Sequence, residues 1–528
     1  MFRSSKRRGG RISGAPGGLF GGLVLGASLF FGTSLLVGCS ESPRSEEKPA
    51  TDLEAQASIP GAGGESRSAP QDPRPSVVLI VLDTLRADAV SAYGAVAETT
   101  PNLDRLAADG LQYQHAFSPS PWTLPSHATL FTGLDVKDHG VGMGQQLTLP
   151  DSLTTLAEHL RDAGYQTAGF SENFLVSEKF GLTQGFDRFE WPELKEILEN
   201  QAQGVGRLQS FNILKRIQDW LKTLDPDKPF FLFVNIYDIH APYEVDLEND
   251  FLAPGIDPAH AQRILDRYPM WSSNCSRLPP EEALSVLKSL YLGGVRRADT
   301  KLGEILDSVA SKEGLSPPIT VVTSDHGESL GEHKLLGHRF SVRNQTLQIP
   351  LFVHGLPEVP PAVLDVPVGL IDMRSSIECW TKTGSCANSI PVVADVSREG
   401  DSRKMVSFYS DESVVQEHVG QDGELKEETS RSSCAPSDLV FGRMASLTDY
   451  PMKFIWFESG ETFLYDLSWD QGELSDQKSL VPEQASSMLA ELKQRMPTDD
   501  SSGASGSVGE WTVDPESVEA LRELGYVE

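Results

Sequence analysis

The sequence is short of positive charge, of cysteine and of repeats. It has 45 Lys and Arg residues against 75 Asp and Glu, a formal net charge of −30. Because affinity for nucleic acid comes mostly from cationic contacts with phosphate, this balance argues against a nucleic-acid partner. Five cysteines occur in 528 residues, and we find neither an internal repeat nor a heptad pattern. The length is typical of about three average domains, but large α/β enzymes exceed that average, so we expect one large and one small domain.

Residues 1–38 are predicted to be an export signal. An apolar run at residues 19–37 ends in Leu36-Val37-Gly38-Cys39, which is similar to a bacterial lipobox with Cys39 as the lipidated first residue. A transmembrane anchor of about 20 residues is the alternative, but the abrupt end in small residues favours the lipoprotein. We therefore expect an exported protein of the bacterial cell envelope, held at a lipid bilayer through Cys39. Five basic residues precede the run: Arg3, Lys6, Arg7, Arg8 and Arg11.

Residues 39–75 are rich in Ser, Pro, Glu and Ala and have almost no large apolar side chains. Such a segment cannot bury enough surface to offset its ordering entropy, so a flexible tether is predicted. The signal contains five basic and no acidic residues, which leaves 40 against 75 and a net charge of −35 in the mature chain.

From residue 76 onward, apolar runs that predict strands alternate with helical patterns. This alternation predicts an α/β fold with a large, mostly parallel sheet and helices on both faces. The predicted strands are residues 77–82, 166–170, 230–238, 319–323 and 349–353. The predicted helices are residues 101–109, 151–164, 193–224 and 281–312, the last one bent near Gly293 and Gly294.

The end of the chain predicts a small α+β domain. Strands are expected at residues 453–457 and 462–467, followed by helices at 482–495 and near Val518. Residues 355–440 have no clear pattern and, with 241–280, are expected to form the rim of a pocket. We therefore predict a catalytic domain at 76–440 and a C-terminal domain at 441–528.

Polar side chains follow the predicted parallel strands. Asp83 comes after the first strand, His240 lies just past the strand at 230–238, and Asp325 and His326 follow the strand at 319–323. In open parallel sheets, ligands bind outside the carboxyl ends of the strands. Two carboxylates and an imidazole suit a divalent cation, with a hydroxyl nucleophile as a further ligand.

Residues 118–133, SPSPWTLPSHATLFTG, contain the candidate nucleophile Thr123. The prolines argue against regular structure before Ser126, which is a possible helix N-cap. A hydroxyl just ahead of that helix would face N–H groups that favour an anion. The block resembles the sulfatase signature, in which the first position is the nucleophile. Thr123 stands there in place of the Cys or Ser that sulfatases oxidise to formylglycine, and His127 stands in place of an Arg.

The resemblance to sulfatases, members of the alkaline phosphatase superfamily, covers nearly everything after Val77. The blocks LIVLDTLRAD, TPNLDRLAADG, IYDIHAPY, SDHGESLGEH and IPLFVHG occur in the family's order. The resemblance implies that Asp83, Asp325 and His326 are metal ligands. Sulfatases usually carry a second Asp where Thr84 stands and Asn where His326 stands. The imidazole makes zinc or manganese plausible besides calcium for the one expected ion.

The resemblance also implies a shell of groups around an anionic ester. His127 replaces the signature Arg, His139 stands where a substrate-handling His is common, and His240 resembles the His that contacts the ester oxygens. His338 lies near the place of a family Lys. These residues predict a hydrolase of sulfate or phosphate esters that acts through Thr123. A transferase of the same superfamily and an inactive binding protein on this scaffold are the alternatives, and the oligomeric state is left open.

Four cysteines remain beside Cys39: Cys275, Cys379, Cys386 and Cys434. In an exported protein they allow two disulfides, and Cys379–Cys386 is the easiest local pair. Free buried thiols are the alternative.

The lipobox yields a direct test. We expect the wild-type protein to sediment with membranes in a Gram-negative host, and Cys39→Ser to release it because the acceptor thiol is gone. Intact-mass analysis checks the modification itself. An uncleaved, unmodified N-terminus in the wild type would contradict the lipoprotein prediction.

Overall fold

A computed structural model describes residues 72–496, with gaps at 96, 144–145, 194, 198–199, 201–207, 209, 246–250, 253–255, 273–277, 339, 385–388, 391–402 and 411–441. The predicted signal, the predicted tether except for its last four residues (72–75), and the predicted helix near Val518 lie outside these residues. No helix within them has the length and apolar character needed to cross a membrane.

The main sheet is centred on β1 (Val77–Leu82), which is entirely buried. It pairs in parallel with β5 (Phe230–Ile236) on one side and β6 (Ile319–Thr323) on the other. Further strands are β2 (Leu111–Phe117), β3 (Gln166–Ser171), β4 (Arg188–Glu190), β9 (Gln348–Ile349), β10 (Leu351–His354) and β11 (Ala362–Gly369). The order is β11-β2-β10-β6-β1-β5-β3-β4, with β9 on β2. Strand β10 runs antiparallel to β6 and β2. The pairings of β1 with β5 and β6 are parallel, and the sheet is mostly parallel, as predicted.

Alternate residues of β1 face two separate cores. Val77, Leu79 and Val81 belong to one apolar cluster, and Val78, Ile80 and Leu82 belong to the other. A continuous apolar strand is therefore covered on both faces, as is usual for parallel sheets.

Helices cover both faces. Helices α2 (Thr123–Thr132), α4 (Leu156–Asp162) and α10 (Met373–Trp380) contribute to the first cluster. Helices α1 (Pro101–Asp109), α5 (Ile213–Leu221), α6 (Pro258–Leu265) and α8 (Glu281–Ala310) contribute to the second. Shorter helices are α3 (Val136–His139), α7 (Tyr268–Ser272) and α9 (Asn344–Leu347), and β7 (Ser329–Leu330) pairs with β8 (Leu336–Gly337).

A second, antiparallel sheet lies toward the C-terminus. Its strands are β12 (Met405–Tyr409), β13 (Met444–Asp449), β14 (Met452–Phe457) and β15 (Thr462–Asp466), in that order. Helix α11 (Pro482–Arg495) packs on it through Ala485, Met488 and Leu492. The predicted strands and helix of this region are present, and β12 and β13 come from stretches in which the sequence predicted no strand.

Several predicted boundaries were wrong, and two of them have reasons that are visible in the sequence. The helix predicted from residue 151 begins at Leu156, because Thr155 and Glu158 form a capping box that makes Thr155 the N-cap. The strand predicted at 349–353 is divided at Pro350, which has no N–H to donate, into β9 and β10. Of the helix predicted at 193–224, the structure describes Ile213–Leu221 together with short pieces before it, and much of 198–209 lies outside the described residues.

The structure decides between a disulfide and a free thiol for one cysteine. Cys379 is disulfide-bonded, so it is not a free thiol. Its predicted partner Cys386 lies outside the described residues, as do Cys275 and Cys434.

Helix α8 runs without interruption through Gly293 and Gly294. A Cβ atom at Gly294 would lie 2.6 Å from the backbone oxygen of Asp238 and 3.1 Å from the Cα atom of Ile239. Both neighbours are backbone atoms that cannot rotate away. Gly294 therefore permits α8 to approach the loop that carries His240.

Adding one methyl group tests this approach. We expect Gly294→Ala to lower the free energy of unfolding by about 1–3 kcal/mol, since the overlap outweighs the higher helix propensity of Ala. Thr300→Ala on the exposed side of the same helix is the control and should be neutral or slightly stabilising. Urea unfolding of both variants checks the difference, and an unchanged or higher stability of Gly294→Ala would contradict it.

Candidate active site

Two buried aspartates meet at the carboxyl end of the main sheet. Asp83 follows β1 directly, and Asp325 lies two residues beyond β6. Because β1 and β6 are adjacent and parallel, their ends bring both carboxylates together, with His326 beside them. One ligand atom from each of Asp83, Asp325 and His326 lies within 4.8 Å of the other two, and all three side chains are fully buried.

Each carboxylate has one oxygen that is held and one that is free. Asp83 Oδ2 accepts hydrogen bonds from the Nδ2 atoms of Asn173 (2.8 Å) and Asn235 (3.4 Å). Asp325 Oδ1 accepts from the backbone N–H groups of Thr84 (3.1 Å) and His326 (2.9 Å). Asp83 Oδ1 and Asp325 Oδ2 are buried and have no hydrogen bond from any described residue. Buried oxygens of this kind require a partner that the polypeptide does not supply.

His326 adds a third lone pair to the same space. Its Nδ1 atom lies 3.0 Å from the backbone oxygen of Gly327, which can only accept, so Nδ1 carries the proton. Burial lowers the pKa of His326, which favours the neutral ring. Nε2 then presents a lone pair 3.3 Å from Asp325 Oδ2. Two facing acceptors are satisfied by a cation between them, so these three residues fit a divalent metal ion.

Thr123 lies at the edge of this group. It is fully buried, and its Oγ1 atom is 3.5 Å from His326 Nε2. The helix predicted to start after Ser126 in fact starts at Thr123 itself. Pro125 is its third residue, where the missing N–H costs nothing because first-turn N–H groups have no partner within the helix. Ser126 is not the N-cap, and its hydroxyl donates to the backbone oxygen of Ser120 instead (2.9 Å).

His127 lies one helical turn beyond Thr123 and is neutral. Its Nδ1 atom donates to the backbone oxygen of Thr123 (3.0 Å), so its Nε2 atom accepts from Asn235 Nδ2 (3.2 Å). Burial lowers the pKa of His127 to about 3. The resemblance implied a replacement for a cationic Arg, whereas this environment supports a neutral side chain that holds the first turn of α2.

His240 and His338 are brought to the same place. The ring centroid of His338 is 4.5 Å from that of His326 and 4.9 Å from that of His240. The ring of His240 also stacks on Tyr237 at 4.4 Å. The three imidazoles therefore form a continuous row that begins at the aspartates.

His139 has a different environment. Its Nδ1 atom accepts from the backbone N–H of Val141 (3.0 Å), so Nε2 is protonated and donates to Thr129 Oγ1 (3.0 Å). Burial lowers its pKa to about 3. Both ring nitrogens are thus bonded inside the protein, to residues that are not among the predicted site residues.

Sequence reasoning missed Asn173 and Asn235, which orient Asp83. A signal was present, since Asn235 interrupts the apolar run of β5 and Asn173 comes two residues after β3. Both therefore satisfy the same strand-end rule that identified Asp83 and Asp325.

A cavity of about 500 Å³ lies elsewhere, beyond the C-terminal end of α2 at Thr132 and Gly133. Its charged groups include Arg403 and Arg374, which pair with Asp372 (2.9 Å) and Glu378 (2.8 Å). None of the predicted site residues lines this cavity.

The family model described as Sulfatase matches residues 75–382, more than half of the chain. The chain belongs to the sulfatase family.

The relatives are distant but consistent. An uncharacterized sulfatase, YidJ, of Escherichia coli K12 is 25% identical over 335 residues, which cover 57% of this chain and 66% of the relative. An arylsulfatase of Clostridium perfringens is 23% identical over 333 residues, 53% of this chain and 68% of the relative. The chain thus spans about two thirds of the length of these relatives.

The structural comparison supports the fold. The solved phosphonate monoester hydrolase of Agrobacterium radiobacter has a TM-score of 0.61 at 20% identity, covering 80% of this chain and 96% of that one. The predicted family, the predicted α/β architecture and the class of ester hydrolases are confirmed at the level of the family.

Close to the aspartates, this chain differs from the sulfatase pattern at Thr84, where sulfatases usually carry a second Asp. Thr84 is fully buried, its φ is +60°, and its hydroxyl has no hydrogen bond from the described residues. Positive φ is unusual for a β-branched residue. This conformation directs the Thr84 N–H to Asp325, so the backbone replaces part of the ordering that a side chain would provide.

The aspartates hold protons strongly in the absence of a cation. Burial, and then the charge of Asp325, raises the pKa of Asp83 to about 8. Burial raises the pKa of Asp325 to about 7, although N–H groups of Thr84 and His326 oppose the shift. The stability that each protonated carboxyl contributes is complete below the unfolded pKa of 3.8 and is lost as the pH rises through 7 to 8.

This titration predicts how pH affects the metal-free protein. Its melting temperature should fall as the pH rises toward 8, and Asp83→Asn should reduce the slope because the amide cannot ionise. An added divalent ion should stabilise most at high pH, where the ligands are deprotonated. Calorimetric melts after chelation check both trends.

The matching binding experiment uses isothermal titration with calcium, zinc and manganese. Wild-type protein should bind one ion, and the Asp83→Asn/Asp325→Asn double variant should lose that binding while keeping its fold. Equal metal occupancy in both proteins would contradict a shared site at these carboxylates.

Proposed function

We propose that this sulfatase-family protein is a metal-dependent esterase that cleaves phosphate monoesters or diesters in preference to sulfate esters, with Thr123 as nucleophile. One observation carries the proposal: a plain Thr hydroxyl lies buried 3.5 Å from His326, beside the free oxygens of Asp83 and Asp325. The resemblance to sulfatases implies the position of the nucleophile, and the residue at that position determines what it can do.

A single hydroxyl restricts the chemistry. In a sulfatase, formylglycine hydrate attacks sulfur with one hydroxyl and expels sulfate by collapse of the other to the aldehyde. Thr123 has one hydroxyl, and aldehyde-forming maturation requires Cys or Ser, so that exit is closed. A phosphorylated Thr can instead be cleared by in-line attack of water at phosphorus.

The reaction then has two balanced steps. The Thr123 oxygen forms a bond to phosphorus while the bond from phosphorus to the alcohol oxygen breaks, and the alcohol leaves after taking up a proton. Water next attacks phosphorus, the bond to the Thr123 oxygen breaks, and phosphate or its monoester departs with the hydroxyl restored. An acceptor other than water in the second step would make the protein a transferase.

Asp83, Asp325 and His326 would hold one divalent ion, calcium or, because of the imidazole, zinc or manganese. When bound, this ion would act as a Lewis acid that counters the charge of the ester and favours the ionised hydroxyl. His127 holds the backbone of Thr123 in place, so the nucleophile is fixed before substrate arrives. His240 and His338 lie in the row of rings beyond His326, where protonation of the leaving group would occur.

The names of similar proteins include both a hydrolase of sulfur esters and a hydrolase of phosphorus esters. One relative is named an arylsulfatase, and the solved structure with a TM-score of 0.61 is named a phosphonate monoester hydrolase. The substrate is thus an anionic ester in our proposal, and the residue at position 123 decides between sulfur and phosphorus. We further propose that the enzyme acts in the bacterial envelope, anchored by lipid at Cys39, on the basis of the lipobox.

Substitution of the nucleophile tests the proposal. Thr123→Ala should abolish turnover of aryl phosphates and bis-aryl phosphates, because no covalent intermediate can form. Thr123→Ser should retain part of it, since the hydroxyl remains. Rates on matched aryl phosphate, phosphate diester and sulfate substrates, measured with each of the three metals, give the preference.

Two controls make the outcome decisive. Mass spectrometry of the purified protein establishes that Thr123 is unmodified, and metal titration of Thr123→Ala shows that its site is intact. Faster hydrolysis of aryl sulfates than of aryl phosphates by unmodified protein would refute the preference. Metal binding without turnover of any ester would favour a binding protein.

A further inference from the structure

A fully buried ion pair in the C-terminal part of the chain, between Lys453 and Glu473, also contacts Asn344 of the main domain, the part of the chain before β12. Lys453 Nζ on β14 lies 2.7 Å from Glu473 Oε1, and both side chains are 0% exposed. The same ammonium group donates to Asn344 Oδ1 (2.9 Å), at the start of α9. Burial of two charges is costly unless they are paired and further bonded. The pair therefore locks three separate parts of the chain together.

Glu473 belongs to a tight turn that presents acceptors to the main domain. Its φ is +55°, and the turn is held by Asp470, whose carboxylate accepts from the N–H groups of Leu474 (3.0 Å) and Ser475 (2.9 Å). The backbone oxygen of Gly472 accepts from His333 Nε2 (2.9 Å).

Two more contacts reach the same stretch of the main domain. The backbone oxygen of Gln471 accepts a hydrogen bond from Asn344 Nδ2 (3.4 Å), and Arg343 Nη1 lies 3.5 Å from Glu473 Oε2. The turn thus contacts both ends of residues 333–344, the segment that contains His338.

Helix α9 passes this connection on to the candidate metal ligands. The backbone oxygen of Thr346 accepts from the N–H of Gly327 (2.8 Å), the residue after His326. The backbone oxygen of Leu347 accepts from the N–H of Ser118 (2.8 Å). A Cβ atom at Gly327 would lie 2.1 Å from the backbone oxygen of Gln345, so the two segments are in direct backbone contact. A shift of Asn344 would therefore displace the backbone beside His326.

We propose that the Lys453–Glu473 pair is a positioning device for the active site: it fixes residues 333–347, and through them His338 and His326. The inference rests on the proposed function for its catalytic meaning. The claim that this ion pair orders the segment beside the metal ligands does not depend on the identity of the substrate.

The test compares three variants of the full-length protein. Lys453→Met leaves the buried Glu473 carboxylate with only its longer contact to Arg343 (3.5 Å), which should loosen the turn. Hydrogen exchange of peptides covering residues 327–347 should accelerate at least tenfold, and the affinity for a titrated zinc or manganese ion should fall by about tenfold. Lys453→Met/Glu473→Gln removes both charges and should restore most of the protection and affinity.

Asn344→Ala is the milder variant in case Lys453→Met does not fold. It removes the bridge to α9 but leaves the ion pair intact, and it should raise exchange in the same peptides. Met488→Ala is the matched control, because it destabilises the packing of α11 on the C-terminal sheet without touching residues 333–347. It should lower the melting temperature and leave both exchange at 327–347 and metal affinity unchanged.

The outcomes are separable. If Lys453→Met and Asn344→Ala lower the melting temperature but leave exchange and metal affinity at wild-type values, the pair is merely structural and the inference is wrong. If wild-type protein binds no metal, the proposed function fails, and the exchange data still decide the positioning role.

Discussion

Asp83, Asp325 and His326 bring acceptor atoms within 4.8 Å of one another, on side chains that have no exposed surface. The two oxygens, Asp83 Oδ1 and Asp325 Oδ2, have no donor among the described residues, and Nε2 has only the Thr123 hydroxyl at 3.5 Å. The acceptors therefore repel each other, and in a low-dielectric interior that repulsion is strong. Protons or a cation must relieve it. Burial is the main cause of the raised pKa of both carboxyls, the charge of Asp325 raises that of Asp83 further, and a divalent ion fits the same place.

Much of the surrounding structure serves to keep the three acceptors in that arrangement. Asn173 and Asn235 occupy the second oxygen of Asp83, and the N–H groups of Thr84 and His326 occupy that of Asp325. The sheet supplies the two strand ends, and Thr84 adopts positive φ to aim its N–H. Groups that hold the remaining lone pairs of metal ligands commonly determine ligand orientation as strongly as the ligands' own positions do.

The parts of this arrangement that follow a local rule could be predicted from the sequence. The strands β1, β5 and β6 are uninterrupted apolar runs, and Asp83, Asp325 and His326 stand where such runs end. The start of α2 could not be placed in the same way, because three prolines suggested irregular structure while Pro125 is tolerated within a first turn. The neutral state of His127 could not be predicted from the sequence pattern either, because it depends on burial among residues distant in sequence and on the amide of Asn235.

His127 therefore differs from an Arg in more than charge. The Asn235 Nδ2 group donates both to His127 Nε2 and to Asp83 Oδ2, so one amide joins the helix that carries Thr123 to an aspartate of the candidate metal site. A guanidinium at position 127 would present only donors to that amide, and turning the amide to offer its oxygen would withdraw the bond from Asp83. Positions 127 and 235 are thus chemically interdependent. An Arg at position 127 would therefore be compatible with this site only together with a compensating change at Asn235.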